Sequence, residues 1–318
     1  MAPASAVSSA ILGIGAHRPA QVRSNDEISL RVETSDAWIR ERTGIVERRI
    51  ATAEETVVEM ATSAGGKALA DAGISPDLID LVIVATCTLD QPLPGAAAAV
   101  ATGLGIPSPG AFDINAACAG FCYGLALARD AVVAGTARAV LVVGSERLST
   151  WVDWDDRGTC ILFGDGAGAA VVGPSPDGIE GIGPVVWGSD GTGSEFIAMH
   201  DGAITMEGQS VFRWASSQMT PIARRVCDAA GVDLADLDAF VPHQANGRIV
   251  AAMARSLGLS DKTAIADDLA YSGNTSSASI PLALARLRED GKLAPGSTAL
   301  LLGFGSGLTY AGQVIRVP

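Results

Sequence analysis

No apolar run in this 318-residue sequence approaches the roughly 20 residues that a bilayer-spanning helix requires; stretches such as 139–144 stop after a handful. A membrane helix is therefore not expected. The first residues lack a basic segment ahead of an apolar one, so 8–15 reads as a first strand, not as a secretory signal, and the expected location is the cytoplasm. Positive charge is also in short supply. The 22 Lys and Arg stand against 35 Asp and Glu, and the net charge of −13 disfavours nucleic acid and anionic membranes as partners. Histidine is scarcer still, with three in the chain and no two spaced as a ligand pair. The five cysteines, Cys87, Cys118, Cys122, Cys160 and Cys227, are expected as free thiols, and no metal centre is expected.

What the chain does have is core. Hydrophobic residues make up 48% and charged residues 18%, enough for a large packed interior. Strand-like apolar runs alternate with helical stretches in a βαβ rhythm, which predicts an α/β fold of sheets covered by helices. Thr52 and Glu55 fit a capping box opening a helix that runs to about Ala72, with Gly73 ending it. The chain also repeats itself. Ala70-Asp71-Ala72-Gly73 followed by the run 81–85 is echoed by Asp228-Ala229-Ala230-Gly231 followed by 239–243, an offset of 158 (231 − 73). Gly135 followed by 140–144 is echoed by Gly296 followed by 300–303, an offset of 161 (296 − 135). Two pairs near one offset, about half the chain, predict a duplicated fold with halves 1–172 and 173–318. Active sites tend to form where such halves meet.

Chemistry concentrates in three segments. From 118 to 134 the sequence is almost wholly small and apolar, predicting a buried helix with Gly135 just past its end. Cys118 sits at its start, where unpaired N–H groups favour a thiolate. Val241-Pro242-His243 places a histidine at the carboxyl end of an apolar strand, where open α/β sheets bind ligands. Tyr271-Ser272-Gly273-Asn274 is a polar loop before a helical stretch, and its asparagine offers a neutral donor. A cysteine, a histidine and an asparagine together supply a nucleophile and two N–H donors, enough for acyl transfer but also compatible with a thiol hydrolase. Gly164-Asp165-Gly166-Ala167-Gly168-Ala169 satisfies the dinucleotide-binding pattern, but the apolar run after it reads as a strand, not the required helix.

The order of the motifs resembles that of β-ketoacyl-acyl-carrier-protein synthase III, in the thiolase-like superfamily. The likeness runs nearly end to end, through Trp38-Ile39, Arg42-Thr43-Gly44-Ile45, the Cys118 segment, Arg157-Gly158-Thr159, 163–169, His243, Asn274 and Phe304-Gly305. It implies a duplicated thiolase-like αβαβα five-layer fold, a homodimer, and a ping-pong reaction without metal or redox cofactor. An acyl-CoA acylates Cys118, and malonyl-acyl-carrier protein then loses CO₂ and attacks that thioester. By the same resemblance, His243 and Asn274 are expected to hydrogen-bond the malonyl thioester oxygen, and the N–H groups of Cys118 and Ser306 to form the other oxyanion hole. The resemblance further implies that Trp38 and Arg157 sandwich the CoA adenine, that Arg42 meets its phosphates, and that Gly208 and Asn246 line the pantetheine tunnel. Arg213, Arg248 and Arg255 fall on the positions that receive the acidic carrier protein.

Three departures stand out. Ser306 replaces a frequent glycine, Ser256 replaces a basic residue beside Arg255, and Leu93 stands at the end of the acyl pocket where acetyl-selective relatives carry phenylalanine, which predicts a longer or branched starter. The competing reading is a synthase-like acyltransferase that passes the acyl group to a hydroxyl or amine of a secondary metabolite; Asn274, which serves decarboxylation, argues against it. A catalytically dead partner subunit is disfavoured by retention of all three residues.

Overall fold

The computed structural model describes residues 7–318; residues 1–6, the start of the predicted first half, lie outside them. In chain order the first half contributes β1 (Ser9–His17), β2 (Gln21–Ser24), α1 (Asn25–Ser29), α2 (Asp36–Thr43), β3 (Glu47–Ile50), α3 (Val57–Ala72), β4 (Leu81–Ala85), α4 (Ala96–Gly103), β5 (Gly110–Ile114), α5 (Gly120–Val133), β6 (Val140–Arg147) and β7 (Asp165–Pro174). The second contributes β8 (Val186–Ser189), β9 (Ile197–His200), β10 (Ala203–Met206), α6 (Gly208–Ala230), β11 (Ala239–Pro242), α7 (Gly247–Leu257), β12 (Ala264–Ile265), α8 (Leu269–Ser272), α9 (Ser279–Glu289), β13 (Thr298–Gly305) and β14 (Thr309–Arg316).

The predicted alternation holds, and so does the duplication. One sheet runs β5-β4-β6-β7-β1 and the other β12-β11-β13-β14-β8. In each, two parallel pairings are followed by two antiparallel ones, so that only the fourth strand, β7 or β14, runs against the rest. The same side chain locks each half. Asp80 N–H donates to Ala139 O and its carboxylate accepts from Arg138 N–H; Asp238 N–H donates to Thr298 O and its carboxylate accepts from Thr298 N–H. α5 and α9 lie between the sheets and touch both, α3 and α4 cover the outer face of the first, and α6 and α7 cover the second. The five layers are thus α, β, α, β, α. A continuous core lies between the sheets, built from residues such as Phe121, Leu125, Ile280, Leu284 and Leu301.

Local predictions fared unevenly. Gly73 ends α3 in the left-handed conformation as expected, but the N-cap is Thr56, whose hydroxyl accepts from Glu59 N–H. The Thr52 and Glu55 pair forms one turn earlier and only by half, with the Glu55 carboxylate accepting from Thr52 N–H while Glu55 N–H donates to the Thr52 carbonyl, so it closes the loop that feeds the helix. The helix predicted over 118–134 begins at Gly120; Ala117–Ala119 form a tighter 3₁₀ turn. It is buried on most sides but not all, since Leu127 is 37% exposed. The repeat is also tighter than the sequence pairs indicated. The turns before α5 and α9 correspond at an offset of 159 (276 − 117), and Ala117 and Ser276 both take left-handed backbone, with φ of 45° and 46°.

Those two turns meet the sheets at glycines. A Cβ added to Gly144, near the end of β6, would collide with the Ser277 carbonyl oxygen, and one added to Gly303 of β13 would stand 2.8 Å from the Ala119 Cα. Each half presses its strand end onto the other half's turn. Gly144→Ala is expected to destabilise the fold by about 1–3 kcal/mol, because backbone, not a flexible side chain, must yield. Urea denaturation should show a lower midpoint with an unchanged slope.

Candidate active site

Strand ends and turns from both halves enclose a cavity of about 310 Å³. Cys118, His243, Asn274, Ser306, Gly208 and Asn246, six of the sequence-predicted residues, line it together. Cys118 is half-buried on the 3₁₀ turn ahead of α5. It fits because residue 305 has no side chain: a Cβ there would lie 2.8 Å from the cysteine sulfur. The sulfur is reached by the Ser276 hydroxyl and by the backbone N–H groups of Cys118 and Ser306. Burial works against the thiolate that the helix start is expected to favour. Burial outweighs these donors, and the thiol is pushed up to about 12.

His243 follows the last residue of β11 and is 2% exposed. Burial pulls its ring down to about 3, so it stays neutral. Its tautomer can be read from its partner. Ser279 Oγ lies 2.7 Å from His243 Nδ1 and accepts from Gln244 N–H. With no other acceptor for its proton among the described residues, that hydroxyl donates to Nδ1, leaving Nε2–H as the donor toward the cavity. Phe304 backs the ring edge-on at 5.5 Å between centroids. Asn274 is held by its backbone, donating to Leu162 O and accepting from Gly164 N–H. Its Oδ1 accepts from Ser276 N–H at 3.0 Å, which leaves the amide N–H₂ free for the cavity.

At the cavity mouth, Asn246 caps α7 by accepting from Arg248 N–H and donates to Arg42 O at 3.2 Å. Arg42, Arg213 and Arg248 line a second hollow of about 400 Å³ that shares Gly208 and Asn246 with the first. Arg255 is seven residues beyond Arg248 on the same face of α7, about 10 Å further along. Trp38, Arg42 and Arg157 come together, with the Arg157 guanidinium 5.2 Å and that of Arg42 5.4 Å from the Trp38 ring centre. A flat ring stacked between Trp38 and Arg157 needs about 7 Å, so Arg157 must swing aside to admit one. Leu93 is not brought to this chain's own cavity; it lies on the loop before α4 and is 84% exposed.

Several residues at the site were missed. Cys87 and Ser276 line the cavity, Ser279 orients His243, and Glu146 is fully buried behind Cys87. Asn115 mirrors Asn274, accepting from Ala117 N–H as Asn274 accepts from Ser276 N–H. The signal was in the repeat: at an offset of 159 (277 − 118), Asn115-Ala116-Ala117-Cys118-Ala119 aligns with Asn274-Thr275-Ser276-Ser277-Ala278. Among the described residues, no group of three or more His, Cys, Asp or Glu could hold a metal ion.

A duplicated five-layer fold with a cysteine at the foot of a cavity between its halves defines a thiolase-like condensing enzyme. The sequence pattern of 3-oxoacyl-[acyl-carrier-protein] synthase III matches residues 112–191, and that of its C-terminal region matches 227–317. The chain is 49% identical over 321 residues to a β-ketoacyl-[acyl-carrier-protein] synthase III of Streptomyces glaucescens, spanning 97% of this chain and 96% of the relative. It is 48% identical over 323 residues to the synthase III of Mycobacteroides abscessus, spanning 97% and 94%. The priming β-ketosynthase of the R1128 polyketide pathway superposes with a TM-score of 0.96 at 44% identity, covering 100% of this chain and 98% of that one. The Aquifex aeolicus synthase III superposes at 0.93 with 40% identity, covering 97% and 100%. The chain belongs to the 3-oxoacyl-[acyl-carrier-protein] synthase III family and is an acyltransferase.

The His243 geometry makes a prediction. Its ring ¹⁵N resonances should report the Nε2–H tautomer and show no titration from about pH 5 to about pH 9. Ser279→Ala should let the tautomers mix, since nothing else fixes Nδ1. The unfolded ring binds its proton near 6.5 and the folded one only near about 3, so His243 contributes stability that is complete above 6.5 and lost as pH falls toward 3.

Proposed function

We propose that the enzyme catalyses the decarboxylative condensation of an acyl-CoA starter with malonyl-acyl-carrier protein, through an acyl group carried on Cys118. The observation that carries this reading is the convergence of the thiol, two backbone N–H groups, His243 and Asn274 on one cavity. In the first half-reaction the sulfur attacks the thioester carbonyl. The C–S bond to CoA breaks, the thiol proton ends on the CoA sulfur, and the N–H groups of Cys118 and Ser306 take the transient oxyanion. In the second, malonyl-carrier protein loses CO₂, and His243 Nε2–H and the Asn274 amide donate to its thioester oxygen as charge develops. The carbanion attacks acyl-Cys118, one proton is taken up, and the thiol is restored. Because His243 and Asn274 are neutral donors whose help is needed only as charge builds, they lower the barrier more than they stabilise the ground state. No metal or redox cofactor enters this chemistry.

Arg42, with Trp38 and Arg157, supports binding of CoA at the mouth, and Gly208 and Asn246 border the pantetheine path. Arg213, Arg248 and Arg255 give an otherwise acidic protein the local positive surface that an acidic carrier protein needs. The exposed Leu93 and Phe112 favour a homodimer in which a second copy covers this face, with Leu93 closing the partner's acyl pocket. The halves 1–172 and 173–318 are the units we assign to the duplication, although β7 carries the first half two residues further, to Pro174. Among the described residues no helix is long and apolar enough to cross a membrane, and we place the enzyme in the cytoplasm.

Cys118→Ala should abolish the covalent acyl adduct seen by intact mass after incubation with acyl-CoA, whereas Cys122→Ala should retain it. Asn274→Asp should acylate at a near-normal rate but lose condensation by about 10²-fold or more; equal loss of both half-reactions in a folded variant would contradict the assigned role.

Leucine is smaller than phenylalanine, and each methylene buried in a fitting pocket contributes about 0.8 kcal/mol. Leu93→Phe should therefore shift selectivity toward acetyl-CoA by depressing kcat/KM for isobutyryl- and hexanoyl-CoA. Unchanged ratios among the three starters would place Leu93 outside the pocket.

A further inference from the structure

Glu146, on β6, is fully buried, yet among the described residues it has no cationic partner. Arg147 beside it turns its guanidinium to Thr52 O, and Asp165 on the neighbouring strand is occupied by Ala51 and Ser149. The carboxyl instead sits among polar groups from two segments. Thr88 Oγ1 reaches its Oε2 at 2.6 Å, the Cys87 N–H at 3.1 Å and Thr86 Oγ1 at 3.3 Å, while Ser277 Oγ lies 2.8 Å from Oε1. The Cys87 thiol, the one titratable group in direct contact, is 3.4 Å from Oε1. The Cys118 thiol is the next, reached from the Cys87 thiol through the Ser276 hydroxyl, which lies 3.9 Å from the Cys87 sulfur.

The decisive observation is a count of protons. Ser277 Oγ is also 2.8 Å from the Ala85 carbonyl oxygen. A hydroxyl has one proton, and a carbonyl can only accept. An ionised Glu146 would leave two acceptors competing for that single proton at 2.8 Å, one of them a buried carboxylate oxygen, Oε1, otherwise met only by the Cys87 N–H at 3.3 Å and the weakly donating Cys87 thiol at 3.4 Å. If Glu146 carries the proton on Oε1, it donates to Ser277, Ser277 donates to Ala85 O, and every group is satisfied. Burial pushes the carboxyl up in the same direction.

The duplication says why a carboxylic acid stands here. Glu146 and Gly305 correspond at the common offset of 159 (305 − 146), as do Ser277 and Cys118. Gly305 leaves the space in which the cysteine sulfur sits. In the other half the equivalent space is filled by the Glu146 side chain, hydrogen-bonded to the serine that stands where the cysteine would be. One turn is opened for chemistry and the other is pinned. The pinned turn is the one that carries Asn274 and Ser276.

We propose that Glu146 is a positioning residue working as a neutral carboxylic acid, which donates its proton to Ser277 and so fixes the 274–277 turn against Cys118 without placing a negative charge beside that thiol. Its effect on catalysis rests on the roles assigned above to Cys118 and Asn274; its protonation does not.

Three readouts test this. In protein labelled with ¹³C-glutamate, infrared spectra at about pH 8 should show a protonated-carboxyl stretch that vanishes in Glu146→Gln; a spectrum of carboxylates alone would overturn the proposal. The pH profile of Cys118 alkylation should be the same in wild type and Glu146→Gln. A shift of about one unit to lower pH in the variant would mean that a negative charge had been removed, and would overturn it. Glu146→Leu, which cannot hold Ser277, should lose condensation about tenfold or more with less loss of Cys118 acylation, and Glu146→Gln should recover most of that loss. A glutamine variant as impaired as the leucine variant would show that the ionised form is required. If Glu146→Leu does not fold, the infrared and alkylation results still decide the question. Failure of Cys118 to accept an acyl group would overturn the functional reading while leaving the infrared band in place.

Discussion

The site depends on a reciprocal close contact between the two halves of the fold. The glycines near the ends of β6 and β13 let each half's strand press against the other half's turn, Gly144 on Ser277 and Gly303 on Ala119. These contacts tolerate no added atom, so the turns bearing Cys118 and Asn274 are located by backbone packing, the least compressible element available. Both turns begin with a non-glycine residue in left-handed backbone, Ala117 and Ser276. Such residues cost about 1–2 kcal/mol each, and they persist where surrounding structure overrides the local preference. Here that structure is the opposite sheet.

Having been placed by packing, the functional groups are also desolvated by it. The same burial that pushes the Cys118 thiol up to about 12 pulls His243 down to about 3, so thiol and imidazole remain neutral. A neutral site suits a two-step reaction in which charge appears only transiently. Preorganised N–H donors cost nothing to reorient when it does. The thiol is high in the free enzyme, so its activation belongs to the moment of attack on the thioester, when its proton leaves and the oxyanion hole fills. The neutral form proposed for Glu146 keeps that moment free of a competing negative charge.

Much of this was legible in the sequence because periodicity and punctuation are local. The alternation of strands and helices, the end of α3 at Gly73, the strand predicted at 169–172, which β7 extends back through the glycine-rich run to Asp165, and the histidine after β11 all follow from short-range patterns. The failures were of two kinds. Thr52 and Glu55 met the capping rule, but Thr56 met the first turn of the helix, a choice set by how the loop packs. Cys118 sits at a helix start, but burial, which depends on the other half of the chain, opposes the local field. Ser279, Cys87 and Glu146 could be found only through long-range contacts. The 159-residue register would have pointed to Ser276 and Ser277, but exact pairing of the halves becomes visible only when the strands are in place.

The most direct test of the account is where the acyl group resides. Wild-type enzyme incubated with acyl-CoA alone, digested and mapped by mass spectrometry, should carry the group on the peptide containing Cys118 and leave Cys87, the other thiol in the cavity, unmodified. Addition of malonyl-carrier protein before digestion should discharge it. An acyl group on Cys87, or one on Cys118 that malonyl-carrier protein does not remove, would contradict the account.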